Sequence, residues 1–247
     1  MNDEQLLRFS RQIMLPEMDI AGQQRLVDAT VLIVGMGGLG CPAAMYLAAA
    51  GVGRLLLADD DTVELTNLQR QIAHGQKDLG KSKVQSVQET LLGLNPDVKI
   101  TALTTRLAGA ELAAAVAEAD VVVDATDNFT ARFAINRACV QARTPLVSGA
   151  AIRMEGQVAV FDSREPDSPC YQCLYGEGDD ALTSCSQNGV MAPVVGIIGS
   201  VQAMETIKLL SGVGRSLSGR LLLLDAANMQ WREMKLPRDP ACPACGN

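Results

Sequence analysis

A glycine-rich turn near residue 35 is the feature that most restricts how this chain can fold. The apolar run 31–34 leads directly into Gly-Met-Gly-Gly-Leu-Gly at positions 35–40, and an apolar, helix-forming stretch follows. In such a pattern Gly35 permits the tight turn, Gly37 lets backbone N–H groups approach a phosphate, and Gly40 lets helix and strand pack closely. The helix that starts there also directs its positive end at the phosphate. The pattern therefore predicts a nucleotide site on an α/β fold, with a purely structural turn as the alternative.

Alternating strand-like and helix-like runs fill residues 20–150. Because strands that alternate with helices form βαβ units, they predict a parallel sheet covered by helices on both faces. The predicted strands are 31–34, 54–59, 98–103, 121–124 and 145–148, and the predicted helices are 39–50, 81–94, 110–118 and 131–142.

The pattern changes after residue 150. Alternation over 155–162 predicts an antiparallel strand, and it is followed by a predicted loop over 162–188, a long helix over 194–211, and strands over 220–225 and 229–236. We therefore predict a single α/β domain over residues 1–247, built as a Rossmann-like, doubly wound, mostly parallel sheet extended by antiparallel strands. An N-terminal helical arm over residues 1–20 would precede the sheet.

The composition limits the class of partner. Hydrophobic residues make up 48% of the 247 residues, which predicts a large core, and the formal charge of −7 argues against nonspecific nucleic-acid binding. The charge-free stretches 29–53 and 184–204 contain glycine and proline and are interpreted as core segments rather than membrane spans. Since no apolar stretch of signal-peptide length lies at the start, we expect a cytoplasmic protein with no nucleic-acid or membrane partner.

An acid at the end of the second predicted strand indicates where a ribose would lie. Asp59 comes about 20 residues after the glycines, where a carboxylate can accept hydrogen bonds from ribose hydroxyls, and by itself it suits NAD equally well. Asn67, Arg70 and Lys83 then supply an amide and two cations, which neutralise phosphate charge in phosphoryl or nucleotidyl transfer. Asp127 follows the fourth predicted strand and is interpreted either as a Mg²⁺ ligand or as a helix cap.

Two C-x-x-C pairs form a second candidate site. Cys170 and Cys173 make the first pair, and Cys242 and Cys245 make the second. Four thiolates suit tetrahedral Zn²⁺, and a closed set of four leaves no open catalytic position, so a structural zinc site is predicted. Two redox pairs are the alternative.

The remaining cysteines and the single histidine carry weaker signals. Cys185 lies in a polar loop, where a thiol is a nucleophile if its pKa is lowered and is otherwise inert. Cys41 and Cys139 lie in apolar helical contexts and are predicted to be core residues. His74 is interpreted as a surface residue, so catalysis by a Cys/His pair is poorly supported.

Together these residues resemble the family of adenylyltransferases that activate ubiquitin-like sulfur carriers. Its bacterial members serve molybdopterin synthase or thiamine biosynthesis, and the adenylation half of ubiquitin-activating enzymes is related to them. The resemblance covers almost the whole chain, from residues 8–13 through 34–40, 59–71 and 125–128 to both C-x-x-C pairs. It implies that the chain is one adenylation domain of this type.

The resemblance also implies roles for individual residues. ATP contacts are implied for Gly35, Gly37, Gly38, Asp59, Asp61, Thr66, Asn67, Leu68, Gln69, Arg70, Gln71, Lys83, Asp127 and Asn128. Catalytic roles are implied for Arg70 and Lys83 on the phosphates, and for Asp127 as the Mg²⁺ ligand. Arg11 matches an arginine that in relatives reaches the triphosphate from the other subunit of a homodimer. Cys185 matches a loop cysteine that bonds covalently to the activated carrier in some relatives and is dispensable in others, so both roles stay open. The two C-x-x-C pairs match the family's zinc ligands.

The expected reaction is adenylylation by ATP of the C-terminal glycine of a small β-grasp carrier protein ending in Gly-Gly. Segments 148–157, 190–193 and 232–236 look closer to the molybdopterin type, whereas 56–61 and the short N-terminal arm look closer to the thiamine type. We take the molybdopterin carrier as the first expectation and the thiamine carrier as its alternative. A separate sulfur donor protein would act afterwards. An NAD-dependent oxidoreductase and a carrier-binding scaffold without nucleotide chemistry are the more distant alternatives.

Overall fold

The strands of the protein form one mixed sheet. The computed structural model describes residues 1–176 and 189–246. The strands are β1 (Thr30–Val34), β2 (Arg54–Ala58), β3 (Lys99–Leu103), β4 (Val121–Asp124), β5 (Leu146–Ile152), β6 (Glu155–Phe161), β7 (Arg220–Asp225) and β8 (Gln230–Lys235). They pair in the order β3-β2-β1-β4-β5-β6-β7-β8. The first five are mutually parallel and the last three pair antiparallel, which confirms the predicted mixed sheet.

Helices precede the sheet and connect its strands. Within the described residues they are α1 (Asp3–Arg8), α2 (Ser10–Ile13), α3 (Asp19–Asp28), α4 (Gly40–Ala50), α5 (Lys83–Leu94), α6 (Gly109–Glu118), α7 (Phe129–Ala142), α8 (Tyr171–Leu174) and α9 (Ala192–Ser211). Helices α1 and α2 lie within the helical arm predicted over residues 1–20, and α3 extends it to Asp28. Two 3₁₀ turns lie between β2 and α5, over Leu65–Asn67 and Gln76–Asp78. The short helix α8 lies within the segment predicted to be a loop.

Helices cover both faces of the parallel part of the sheet. Ile33 and Leu57 pack with α4 and α5 in one buried cluster, whereas Leu32, Leu56 and Val122 pack with α6 and α7 in another. Because successive side chains of a strand point to opposite faces, a strand covered on both sides must be apolar throughout. The doubly wound arrangement therefore explains the continuous apolar runs of the sequence.

Helix α9 has the length and apolarity of a membrane span, but it is packed within the fold. Half of its apolar window is buried, and it packs on α4, β5 and β6. Gln202 lies in its middle and donates hydrogen bonds to the carbonyl oxygens of Asp124 (2.7 Å) and Val147 (3.3 Å). These contacts tie α9 to the ends of two central strands, as in the core helix of a soluble domain.

Element boundaries differ from the predicted ones for local reasons. Helix α7 begins earlier than predicted because the side chain of Asn128 accepts a hydrogen bond from the Ala131 N–H and so caps its first turn. Strand β5 extends to Ile152 because it pairs with β6 along its whole length. The predicted strand 145–148 was too short because the pairing with β6 depends on a second segment of the chain.

Candidate active site

A cleft opens at the carboxyl ends of β1 and β4, where the strand order reverses. The helices that follow these two strands leave to opposite faces of the sheet, and such a point is where open α/β sheets bind ligands. We call this cleft, with a volume of about 520 Å³, the nucleotide cleft. Most of the predicted nucleotide-binding residues line it: Gly35, Gly37, Gly38, Asp59, Asp61, Asn67, Arg70, Gln71, Lys83, Asp127 and Asn128.

The other predicted residues lie elsewhere. Thr66, Leu68 and Gln69 are not among the lining residues, but they belong to the turn that carries Arg70, whose Nη1 donates to the Thr66 carbonyl oxygen at 3.0 Å. Arg11 is exposed on α2 and does not line the cleft of its own chain. Cys185 lies outside the described residues. The roles of these residues stay predictions.

The glycine loop has the geometry that its sequence predicts. A Cβ atom added at Gly40 would lie 1.8 Å from the Gly35 carbonyl oxygen, so only glycine lets the start of α4 pack against the turn. At Gly37 the nearest atom to an added Cβ would be Gln71 Nε2 at 3.6 Å, so this position is open toward the cleft. One glycine is therefore required for packing, and the other leaves room for a ligand to approach the backbone.

Asp59 also organises the glycine loop. One carboxylate oxygen accepts a hydrogen bond from the Met36 N–H at 2.6 Å, and the other accepts from the Asp61 N–H at 2.9 Å. An ionised carboxylate has about four lone-pair sites, so these bonds leave acceptor capacity on the cleft side. The predicted ribose acid thus has a structural role in addition to its predicted one.

A buried lysine supplies positive charge to the cleft. The Lys83 side chain is only 8% exposed, and its Nζ forms an ion pair with Asp61 Oδ2 at 2.6 Å. The Lys83 N–H also donates to the Asp61 carbonyl oxygen at 3.0 Å, which fixes the start of α5 beside the acid. Since Asp61 itself is largely exposed, an anionic ligand can replace it as the partner of the ammonium group.

The position of Asp127 leaves its carboxylate free for a ligand. The neighbouring Asn128 caps α7, so the alternative interpretation of Asp127 as the helix cap is wrong. Asp127 is exposed and lines the cleft. Its oxygen donors suit Mg²⁺, which prefers a few carboxylates together with phosphate oxygens and water.

A second opening meets the nucleotide cleft at Asp127, Arg132 and Ala151. We call it the side cleft; it has a volume of about 440 Å³. Its walls are largely apolar and aromatic, with polar groups from the antiparallel strands. Its other lining residues are Phe129, Ala150, Ile152, Glu155, Gly156, Gln157, Tyr171, Tyr175, Leu223, Leu224, Asp225 and Arg232.

Arg132 stands at the junction of the two clefts, and the sequence-based prediction missed it. Its guanidinium is buried and donates to the carbonyl oxygens of Thr126 and Gly149, the latter at 3.0 Å. Burial alone lowers the pKa of Arg132, but Asp124, Tyr171 and Tyr175 together outweigh this effect and raise the pKa, so the group stays charged. The sequence signal that could have identified Arg132 is its place beside apolar residues in the helix predicted over 131–142.

The interpretation of His74 as a surface residue is wrong. His74 is 7% exposed because it lies beneath the glycine loop and against α5. Its ring lies 3.7 Å from the thiol of Cys41, yet burial raises the pKa of that thiol to about 12, so the pair is no nucleophilic dyad. Cys41 and Cys139 are buried in the core, as predicted.

The two C-x-x-C pairs converge into one cluster. The four Sγ atoms all lie within 4.8 Å of one another. The closest contacts join the two pairs, at 3.6 Å between Cys170 and Cys242 and at 3.4 Å between Cys173 and Cys245. A tetrahedral Zn–S₄ centre has S···S edges of about 3.8 Å, so the cluster fits zinc. The convergence disfavours two independent redox pairs.

The thiols of this cluster have hydrogen-bond donors around them. Asn136 Nδ2 donates to Cys170 Sγ at 3.6 Å, and the Asp239 N–H donates to Cys173 Sγ at 3.5 Å. Burial raises the pKa of Cys170 and of Cys173. At Cys242, desolvation acts in the same direction, but backbone N–H groups and the neighbouring thiols lower its pKa to about 7. Such donors stabilise the thiolate form that a metal requires.

The fold and the clefts define a nucleotide-binding protein of the Rossmann type. A model of the ThiF family matches residues 9–244, so the chain belongs to that family. The molybdopterin-synthase adenylyltransferase of Escherichia coli (strain K12) is 52% identical over 247 residues, which cover 100% of this chain and 98% of that protein. The sulfur carrier protein ThiS adenylyltransferase of the same strain is 49% identical, over 100% of this chain and 97% of that protein. The crystal structure of E. coli MccB with succinimide has a TM-score of 0.85 at 25% identity and covers 97% of this chain and 74% of that chain.

Proposed function

We propose that this protein is an ATP-dependent adenylyltransferase that acts on the C-terminal glycine of a small β-grasp sulfur-carrier protein, the small subunit of molybdopterin synthase. The observation that carries the proposal is the meeting of the two clefts at Asp127 and Arg132. One cleft offers glycine backbone and cations to a triphosphate, and the other offers an apolar route to an extended peptide. Membership of the ThiF family and a 52% identical adenylyltransferase support the same reaction.

The residues of the nucleotide cleft would position ATP rather than donate or accept protons. Asp59 would accept hydrogen bonds from the ribose, and Arg70 and Lys83 would bind phosphate oxygens. The carrier carboxylate would enter through the side cleft and attack the α-phosphate, with pyrophosphate as the leaving group. A carboxylate is already a nucleophile, so alignment and charge neutralisation suffice. Mg²⁺ held by Asp127 would neutralise phosphate charge.

The homodimer and the role of Arg11 in the partner's site are part of the proposal. The N-terminal arm carries large apolar side chains that are exposed in the single chain: Leu7 (76%), Met14 (70%), Leu15 (55%) and Ile20 (54%). Their exposure close to Arg11 supports a protein contact at this surface. Mixing Arg11→Ala chains with Lys83→Ala chains should restore part of the activity. Heterodimers that form without restoring activity would contradict a role in trans.

The remaining assignments follow from the same proposal. Residues 1–247 would act as one adenylation domain in the cytoplasm. Cys170, Cys173, Cys242 and Cys245 would hold a structural Zn²⁺. Cys185 would attack the carbonyl carbon of the carrier acyl-adenylate and displace AMP to form a thioester, and a separate sulfur donor protein would then attack this thioester and release the Cys185 thiolate.

ATP–pyrophosphate exchange tests the reaction directly. The protein with Mg²⁺ and ATP should exchange pyrophosphate only when a carrier ending in Gly-Gly is added, and a carrier lacking its last glycine is the matched control. The molybdopterin and thiamine carriers should be compared side by side, because the 49% identical relative is named for the thiamine carrier ThiS. If neither carrier supports pyrophosphate exchange, the proposal is wrong. Binding of NAD in place of ATP in equilibrium dialysis would favour an oxidoreductase, and ATP binding without exchange would favour a scaffold.

A further inference from the structure

A buried histidine near the nucleotide cleft has no part in the reaction proposed above. His74 is the only histidine of the chain, and it lines neither cleft. We propose that it is a positioning residue that holds the Met36 carbonyl of the glycine loop against α5, so that the Gly37 N–H and Lys83 keep a fixed spacing. This inference rests on the proposed function, because it concerns the same nucleotide site.

The two ring nitrogens of His74 bridge the loop and the helix. Nε2 lies 3.1 Å from the Met36 carbonyl oxygen, and Nδ1 lies 2.9 Å from Ser86 Oγ. A carbonyl oxygen can only accept, so Nε2 carries the proton and donates it to Met36. Ser86 lies on α5 about one helical turn after Lys83, so the ring connects the glycine loop to the helix that carries the buried cation.

Both ends of Met36 are held. Its N–H donates to Asp59 Oδ2 at 2.6 Å, and its carbonyl accepts from His74 Nε2 at 3.1 Å and from the weaker thiol donor Cys41 Sγ at 3.4 Å. The Met36 carbonyl and the Gly37 N–H belong to one planar trans peptide, in which they point in opposite directions. A carbonyl fixed toward His74 therefore directs the Gly37 N–H away from the ring, and Gly37 lines the nucleotide cleft. In this way a residue outside the cleft sets the direction of a phosphate-binding donor.

The surroundings of the ring keep it in the required neutral form. Burial lowers the pKa of His74; Lys83 lowers it further, and the Met36 carbonyl, Asp78 and Asp59 partly oppose the shift. From α4, Cys41 faces the ring as a neutral thiol, since burial raises its pKa to about 12. At neutral pH the ring is thus uncharged, with Nε2 as the donor and Nδ1 as an acceptor facing the Ser86 hydroxyl, which also hydrogen-bonds the Asp78 carboxylate.

A pair of amide substitutions separates the two contacts of the ring. The amide of His74→Gln reaches about as far as Nε2 and can donate to Met36, whereas the amide of His74→Asn reaches only as far as Nδ1. His74→Asn should raise the KM for ATP about 10-fold, the effect of one lost hydrogen bond, and leave the KM for the carrier unchanged. His74→Gln should stay within about 3-fold of the unsubstituted protein.

Thr144→Val is the matched control. Like His74, Thr144 donates a hydrogen bond to a buried carbonyl oxygen: its Oγ1 lies 3.2 Å from that of Val116. Thr144 itself lies just before β5 at its amino end and lines neither cleft. This variant should lower stability without changing the KM for ATP. Equal changes in the KM for ATP in His74→Asn and Thr144→Val would reduce His74 to a stability role and overturn the proposal.

The single histidine also allows a direct measurement by NMR. In tag-free protein labelled with ¹⁵N-histidine, all ring-nitrogen signals come from His74. At pH 7 their chemical shifts should be those of the neutral Nε2–H tautomer, and they should change when ATP is added. A neutral Nδ1–H tautomer would overturn the proposal, because Nε2 could not then donate to Met36. This measurement needs no carrier, so it separates failure of the positioning role from failure of the adenylylation itself.

Discussion

The variants Gly37→Ala and Gly40→Ala should separate nucleotide binding from folding, although both positions lie in the same loop. At Gly40 the added Cβ would lie 1.8 Å from the Gly35 carbonyl oxygen, whereas real Cβ atoms stay beyond 3.0 Å. The turn would have to shift by about 1.2 Å, the difference between these distances. A backbone clash of this size costs about 3 kcal/mol or more. For a chain of this length we therefore expect Tm to fall by about 6–12 °C.

Gly37→Ala should behave in the opposite way. The nearest protein atom to its Cβ would be 3.6 Å away, an ordinary contact, so Tm should change by less than about 2 °C. The methyl group would instead occupy the approach of a phosphate to the backbone. Loss of one charge-assisted hydrogen bond would raise the Kd for ATP by about 10-fold or more. Thermal unfolding and calorimetric titration with ATP and Mg²⁺ measure the two effects. Unchanged ATP affinity in Gly37→Ala, or an unchanged Tm in Gly40→Ala, would refute this reasoning.

Three further outcomes are expected. Asp127→Asn should lower exchange by about 100-fold with an unchanged Tm, because the side chain is exposed; full activity in the exchange assay would contradict its role at the phosphates. Removal of the proposed zinc by a chelator, or Cys242→Ser, should raise the KM for the carrier more than the Kd for ATP. Cys170 directly precedes α8 and Cys173 lies within it, and Tyr171 between them lines the side cleft. Equal effects on both constants would argue against this coupling. The free energy of unfolding should fall as the pH drops below about 6.5, because the unfolded chain protonates His74 at a higher pH than the folded one does. In chemical unfolding, the free energy of His74→Gln should depend less on pH. An identical pH dependence in the two proteins would contradict the lowered pKa of His74.

The predicted site residues that the structure brings together are recognisable from short-range patterns. The glycine loop lies within six positions, and Asp59 follows the next strand of the same unit. Because carboxyl ends of parallel strands share one edge of a sheet, the fold itself brings Asp59 and Asp127 to the same cleft. The C-x-x-C pairs were recognisable because each pair has the spacing of half a zinc site.

The parts that were missed depend on partners far away in the sequence. Arg132 is buried because the Gly149 carbonyl and the Asp124 carboxylate lie beside it, and neither contact is visible in the sequence around it. His74 is buried because the glycine loop, 38 positions earlier, folds over it. Single polar residues of these kinds are usually exposed, so sequence patterns alone assign them to the surface. The side cleft was not predicted because its walls come from β5, β6, β7, β8 and two helices together.

The location of the single tryptophan provides an intrinsic optical reporter. Trp231 is 41% exposed on β8, the edge strand of the sheet, next to Arg232 of the side cleft. Strand β8 lies four strand spacings from β4, about 19 Å from the nucleotide cleft. Fluorescence emission should therefore respond to a protein that docks along this edge and remain nearly constant when ATP alone is added. One cuvette experiment could thus follow docking of the carrier in the presence of ATP, without a label on either.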